Sequence, residues 1–293
     1  MTCVAEAWRE TEDVFRRARL HYGHGTHNAR DEAAWLVCHA AGIELDELAA
    51  SLGDALTPTE LRRIRTLAAR RVATREPLAY LLREAWLGPH RFYVDRRVIV
   101  PRSFIAELLP DGLRPCFAKR PPGSILDLCT GSGCLAVVAA HAYPKSHVDA
   151  VDVSAPALAV AERNVTEHGL RTRLRLLRSD LFAALAGERY DLIVSNPPYV
   201  TAASMRALPS EYRHEPALAL AGGRDGLDLV RRILAEAAEH LAPRGVLVVE
   251  IGHNRAALER AYPRLPFTWL RTSAGREHVF LLRRLDLTDG GAR

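Results

Sequence analysis

The stretch "LDLCTGSGCLAV", residues 126–137, decides the fold. An aliphatic run ends at Leu128, a short turn holds Gly131 and Gly133, and an apolar helix-forming run follows. Strand, glycine turn and helix in that order make half of a βαβ unit. Working outward, "SILDL", "HVDAVDV", "RLRLLRSD", "YDLIVS" and "GVLVVEIG" are five strand candidates, with "APALAVAERNVTEHG" among the helical stretches between them. "FTWLRTS" and "HVFLLRR", separated by "AGRE", read as an antiparallel pair at the sheet edge. This alternation predicts an α/β architecture with a doubly wound sheet over residues 103–293.

The first 85 residues read as helices. "TPTELRRIRTLAARRV" carries a capping box, Thr57 with Glu60, and Pro58 at the first helical position. Leu61, Ile64, Ala68 and Val72 then recur at helical spacing. "ARDEAAWLVCHAAGI" places Trp35 and Cys38 on one face, with Gly42 as its stop. "HYGHGTH", residues 21–27, reads as a polar loop between helices, and His21, His24 and His27 there are not taken as metal ligands. No catalytic constellation occurs in this half, which is expected to form a helical substrate-recognition domain over residues 1–85. Residues 86–102 alternate apolar and polar and suggest a linking β-hairpin. "KRPPGS", residues 119–124, marks the loop before the next strand.

Composition excludes several classes. The 293 residues are 48% hydrophobic and 26% charged, as in soluble globular chains. No apolar run approaches the ~18 residues of a membrane span, and the N-terminus lacks a signal-peptide core, so a cytoplasmic protein is expected. Cys3, Cys38, Cys116, Cys129 and Cys134 form no C-x-x-C pair, which points to reduced thiols and no zinc set. The net charge is +5, and the basic residues are arginine except for Lys119 and Lys145. Such a mild excess fits both base composition and an encounter with an RNA-rich particle.

Gly131, Gly133 and Ala136 fit G-x-G-x-x-A, and Asp152 ends the second strand where an acid would hold ribose hydroxyls. That pattern suits NAD as well as other nucleoside cofactors. Asp127, just before the turn, would repel a pyrophosphate. It suits S-adenosylmethionine, whose α-ammonium and sulfonium are cationic. Asp180 ends the third strand where an adenine amino group would lie, with Leu181 to pack on the ring; the plainer reading of Asp180 is a helix N-cap. Thr130 in the glycine turn completes the candidate cofactor set.

"SNPPYV", residues 195–200, closes the fourth strand. Prolines fix φ and push the preceding residue to extended geometry. The loop is therefore stiff and rich in acceptors. The Asn196 side-chain oxygen and the Pro197 carbonyl can accept both N–H groups of a planar NH2, and Tyr199 can lie against it. A plain Asn-Pro turn is the bland alternative.

Together "LDLCTGSGCLAV", "VDVS" and "DLIVSNPPYV" resemble the HemK-type methyltransferases, which methylate a glutamine side-chain nitrogen using S-adenosylmethionine. The resemblance spans essentially the whole chain. It implies a helical N-terminal domain, a linking hairpin and a seven-stranded Rossmann-like catalytic domain, with Asn196, Pro197 and Tyr199 at the transfer site and Asn196 also touching the cofactor. One branch of the family acts on the Gly-Gly-Gln loop of peptide release factors, the other on the third large-subunit ribosomal protein. "VPRSFIAELL" with Ser103, "DLCTGSGC" with Cys129 and "LPSEYRHEPALALAGGRDGLDLVRRIL" are similar to the second branch. The implied partners are that ribosomal protein and, around it, ribosomal RNA or an assembling subunit. N–P–P–Y is shared with enzymes that methylate amino groups of nucleic-acid bases, so the motif alone leaves a base open as substrate. The lack of an added recognition domain or strong basic stripe weighs against it.

Overall fold

The computed structural model describes residues 1–117 and 120–289. Lys119, the first residue of the expected 119–124 loop, and the last four residues lie outside the described residues. The N-terminal half holds α1 (Val4–Ala18), α2 (Ala29–Ala41), α3 (Pro58–Thr74) and the short α4 (Leu78–Leu82). Asn28 caps α2 by accepting from Asp31 N at 2.9 Å, and Gly42 stops it in the left-handed conformation, φ 71°. Helix α3 opens on the expected box: Thr57 N donates to Glu60 Oε2 at 2.7 Å, and Glu60 N donates to Thr57 Oγ1 at 3.3 Å. Ile64 and Ala68 are buried, and so is Arg71 on the same face.

Next comes a hairpin of β1 (Ala85–Leu87) and β2 (His90–Phe92), shorter than the expected 86–102. The ladder ends at the pair Ala85–Phe92, and Asp95 makes the turn beyond it. Its side chain accepts from Arg97 N at 3.0 Å while its carbonyl accepts from Val98 N at 3.1 Å, which turns the chain. Val94, Val98 and Val100 then face the helical core without a partner strand, which is why the stretch alternates. "HYGHGTH" is the expected loop between α1 and α2, with His21, Gly25 and His27 exposed, but His24 in it is buried, its ring 4.3 Å from that of Tyr212.

The second half follows as α5 (Ile105–Leu108), β3 (Ser124–Leu128), α6 (Cys134–Ala142), β4 (His147–Asp152), α7 (Ala155–Glu167), β5 (Leu174–Arg178) and β6 (Tyr190–Ser195). Then come α8 (Ala202–Ala207), α9 (Asp228–His240), β7 (Leu241–Glu250), α10 (Arg255–Ala261), β8 (Thr268–Trp269), β9 (Val279–Arg283) and α11 (Arg284–Asp289). The seven strands run in the order β5-β4-β3-β6-β7-β9-β8. Strands β3 to β7 are parallel, and β9 is antiparallel to both neighbours. Each central strand is buried on both faces. Ile125, Leu192, Val194, Val246 and Val248 pack on one side, and Leu126, Leu128, Ile193, Leu247 and Val249 on the other. Of "FTWLRTS" only Thr268 and Trp269 pair, and α11 continues where "HVFLLRR" was read as strand to its end.

The halves share a core. Ala157 and Val160 of α7 are buried in the cluster formed by the N-terminal helices. Glu211, on a 3₁₀ turn of the second half, accepts from His21 N at 3.0 Å and from Arg75 Nη1 at 3.3 Å. Arg71 is fully buried between Glu32, 2.7 Å from its Nε, and Glu211, 3.8 Å from its Nη1. Residues 1–85 are therefore fastened to the sheet domain by charge as well as apolar packing. Arg71→Met should cost about 3–5 kcal/mol, because two buried carboxylates lose their common cation. Arg16→Ala, which breaks an exposed pair with Glu12, should cost less than about 1 kcal/mol. Chemical denaturation of the two variants checks the contrast.

Candidate functional site

A cavity of about 330 Å³ opens at the carboxyl ends of β3, β4, β5 and β6. Parallel strands leave their ligand crevice at that edge. Its walls bring together Asp127, Thr130, Gly131, Asp152, Asp180, Leu181 and Asn196. Cys129 and Pro198 join them, and Arg97, Arg102 and Leu218 come from outside the sheet.

Asp127 is 1% exposed. Its Oδ2 accepts from Thr130 Oγ1 at 2.6 Å and from Ala136 N at 3.1 Å. Its Oδ1 is buried and has no partner among the described residues. Burial pushes the carboxyl up to about 7, against the pull of those two hydrogen bonds. A buried acceptor left unpaired costs free energy, so a donor entering the cavity would be welcomed there. Asp152 accepts from Gly131 N at 2.9 Å and Ser154 N at 2.8 Å. The acid thereby locks the glycine turn to the end of β4. Burial raises its carboxyl as well. Gly131 has φ +56°, and a Cβ there would meet nothing within 4 Å, so the bare backbone faces open space. Gly133, φ +78°, shapes the turn from behind, packed against Ala161 rather than in the cavity wall.

At the other end, Asn196 Nδ2 donates to the Arg102 carbonyl at 3.1 Å. A carbonyl only accepts, so this bond fixes which end of the amide faces it. The Asn196 Oδ1 is left without a protein donor among the described residues. Arg102 is held in turn. Its two terminal nitrogens donate to Glu215 Oε1 and Oε2, both at 2.6 Å, and Val100 N donates to Oε1 at 2.9 Å. Burial alone would raise Glu215, but Arg102 and His24 outweigh it and bring the carboxyl down to about 2.

Asp180 and Leu181 are in the cavity wall as expected, whereas Pro197 and Tyr199 are not. Asp180 neither caps a helix nor lies buried. It pairs with Arg232 at 3.0 Å across the cavity rim, residues 181–184 form turns, and Ser179 Oγ accepts from Ala184 N instead. Leu181 sits beside it with φ 50°. Pro197 is buried but outside the cavity wall, where Pro198 stands. The Tyr199 ring is also outside that wall. It packs on Gly252, where a Cβ would lie 2.6 Å from it, and its hydroxyl donates to Glu250 Oε1 at 3.3 Å. Glu250 Oε2 accepts from Ser103 Oγ at 2.7 Å and Phe104 N at 2.9 Å. Burial raises the Glu250 carboxyl.

Sequence reasoning passed over Arg102, Glu215, Glu250 and Gly222. A Cβ on Gly222 would lie 2.6 Å from Tyr199 Cα, so only glycine lets the chain after "EYRHEP" lie on the N–P–P–Y loop. That glycine was the one signal available. Burial pushes the Cys129 and Cys134 thiols up, Cys134 to about 12, which disfavours a reactive thiolate at either.

Comparison with known proteins follows the same two-part division. Residues 6–82 match the PrmC N-terminal domain, and residues 111–209 match the methyltransferase small domain. The ribosomal protein uL3 glutamine methyltransferase of Neisseria meningitidis serogroup A is 54% identical over 288 residues, which is 98% of this chain and 95% of that one. The protein of the same name from Burkholderia pseudomallei is 52% identical over 293 residues, 97% of this chain and 95% of that one. A solved structure of the hMettl16 catalytic domain in complex with a 3'UTR hairpin covers 76% of this chain and 79% of its own, with a TM-score of 0.51. At 17% identity it shows a shared fold. With about half of all positions shared along nearly the full length, the chain belongs to the family of ribosomal protein uL3 glutamine methyltransferases.

Proposed function

We propose that this chain transfers a methyl group from S-adenosylmethionine to the side-chain amide nitrogen of a glutamine in ribosomal protein uL3. The observation that carries the reading is that two residues lining one cavity, Asp127 and Asn196, each keep a side-chain oxygen without a protein donor among the described residues, in a member of that family. The residues present fit the cofactor. Asp127 would take its α-ammonium, Asp152 its ribose hydroxyls, and the bare backbone at Gly131 allows close approach. Asp180 and Leu181 would flank the adenine. Bound there, S-adenosylmethionine supplies an electrophilic methyl group.

The protein's own work is orientation. An amide nitrogen is a poor nucleophile because its lone pair is delocalised. Asn196 Oδ1 would accept one N–H of the substrate amide, with a backbone carbonyl of Pro197 for the second. The Arg102 carbonyl keeps Asn196 from rotating, and Glu215 keeps Arg102 in place. Tyr199 is assigned a positioning role, since Glu250 and Gly252 hold its ring outside the cavity wall. Preorganised acceptors also stabilise the positive charge that develops on the nitrogen. A cytoplasmic location is proposed on the ground of a ribosomal-protein substrate alone.

Asn196→Ala should lower turnover on the order of 10²–10³-fold with cofactor affinity nearly unchanged. Single-turnover kinetics with calorimetry tests it, and near-normal turnover removes Asn196 from the mechanism. Cofactor affinity should also depend on pH. Asp127, raised to about 7, is ionised above that value and protonated below it, so the partner of the ammonium is lost as pH falls. Affinity should weaken by roughly 5–10-fold from pH 7.5 to 6, as one group titrating near 7 requires. Asp127→Asn should bind weakly with a flat profile over that range. A flat wild-type profile would contradict the assignment.

The substrate is tested with free uL3, assembled large subunits and a release factor side by side, reading one added methyl on a glutamine peptide. Free uL3 should be modified fastest, because a glutamine packed against ribosomal RNA cannot enter a narrow cavity. Labelling of the release factor alone would move the chain to the other branch.

A further inference from the structure

Three histidines distant in sequence meet on the far side of the molecule's linker. His90 lies on β2, His141 near the end of α6, and His168 caps the end of α7. Their rings form one cluster: His90 and His141 are stacked at 4.7 Å, and His168 stands edge-on to both, at 5.8 and 5.5 Å. One nitrogen from each lies within 4.8 Å of the others. None of the three walls the cavity described above.

We propose that these three imidazoles form a binding site for a borderline divalent transition-metal ion of the zinc class. Imidazole nitrogen is the natural donor for zinc, nickel and copper, and three histidines plus a water complete a tetrahedral shell. The orientation of His168 suits this role. Its Nε2 lies 2.9 Å from the Arg91 carbonyl, which can only accept, so Nε2 carries the proton and Nδ1 keeps its lone pair. A ligand histidine whose other nitrogen donates to a backbone carbonyl is the usual arrangement around a bound metal. The nitrogens must close from their present spacing to reach one ion at about 2.0–2.1 Å. His141 is exposed, so its approach is not blocked by overlying chain.

The ion would join the linking hairpin to two helices of the sheet domain. That seam already carries one clasp: Asn164 of α7 accepts from Tyr93 N at 2.7 Å and donates to the Tyr93 carbonyl at 3.1 Å. Metal would add a second, at the solvent end of the same seam. Its effect is on stability, by mass action on the folded state.

The test uses untagged full-length protein stripped with a chelator and titrated with zinc chloride by calorimetry, then with cobalt(II) by visible absorption. One equivalent should bind, raise the melting temperature, and give a cobalt spectrum of nitrogen and oxygen ligands. His141→Ala, alone and combined with His90→Ala, should weaken binding at least tenfold while melting normally without metal. No saturable uptake overturns the site. Uptake unchanged in the double variant, or a thiolate-to-cobalt band, overturns it equally, by moving the ion to other residues.

Discussion

The Glu215 carboxylate is the contact on which the molecule's order depends. It is buried, and it faces His24 from the N-terminal helices, Val100 and Arg102 from the linker, and its own 3₁₀ segment of the sheet domain. A buried charge is tolerable only when its partners are all present. Here they come from three separate parts of the chain. The linker cannot slide, because moving Arg102 would strand Glu215. The Arg102 carbonyl also holds Asn196, so the same constraint reaches the cavity. Glu211 repeats the device one turn earlier with His21, Arg71 and Arg75.

A second buried acid, Glu250, does for the aromatic side of the N–P–P–Y loop what Glu215 does for the asparagine side. It gathers Ser103, Phe104 and Tyr199 at the end of β7. Ser103 thus has a physical task, supplying a hydroxyl to a carboxyl that would otherwise be buried and under-satisfied. The loop of residues 195–200 is stiff through its prolines and is also clamped from both sides. Asp127 differs from these acids. Among the described residues one of its oxygens is buried without a partner, which fits the ligand role proposed for it.

What the sequence made legible was local. Asp127 and Asp152 stand at the carboxyl ends of strand-forming runs, and Gly131 and Asn196 just beyond them, and strand ends on one edge of a parallel sheet define a site before any coordinates exist. The capping box at Thr57 and the seven strands are local in the same sense. The residues missed act over distance. Arg102 and Glu215 are 113 positions apart, Ser103 and Glu250 147, and His21 and Glu211 190. No period or motif announces such pairs. A lone glutamate on a 3₁₀ turn reads as surface, and His24 in "HYGHGTH" reads as part of a polar loop for the same reason. The hairpin was overextended because Val94, Val98 and Val100 alternate as a strand does, although what they pack against is a helical core. Tyr199 was placed by adjacency, but its backbone is pinned under Gly222 and its ring turns to Glu250.

These long-range pairs have a consequence for how the chain comes to life. Local βα units can form as soon as their residues exist, but contacts between distant positions wait for loop closure and form slowly. Asn196 acquires its orientation only when Arg102 has been fixed by Glu215, and the neighbouring tyrosine only when β7 has delivered Glu250. A nascent chain emerging from a ribosome would therefore carry a complete glycine turn long before it carried a working amide clamp. Competence arrives late and all at once, after the first helices have found acids that are synthesised almost two hundred residues behind them.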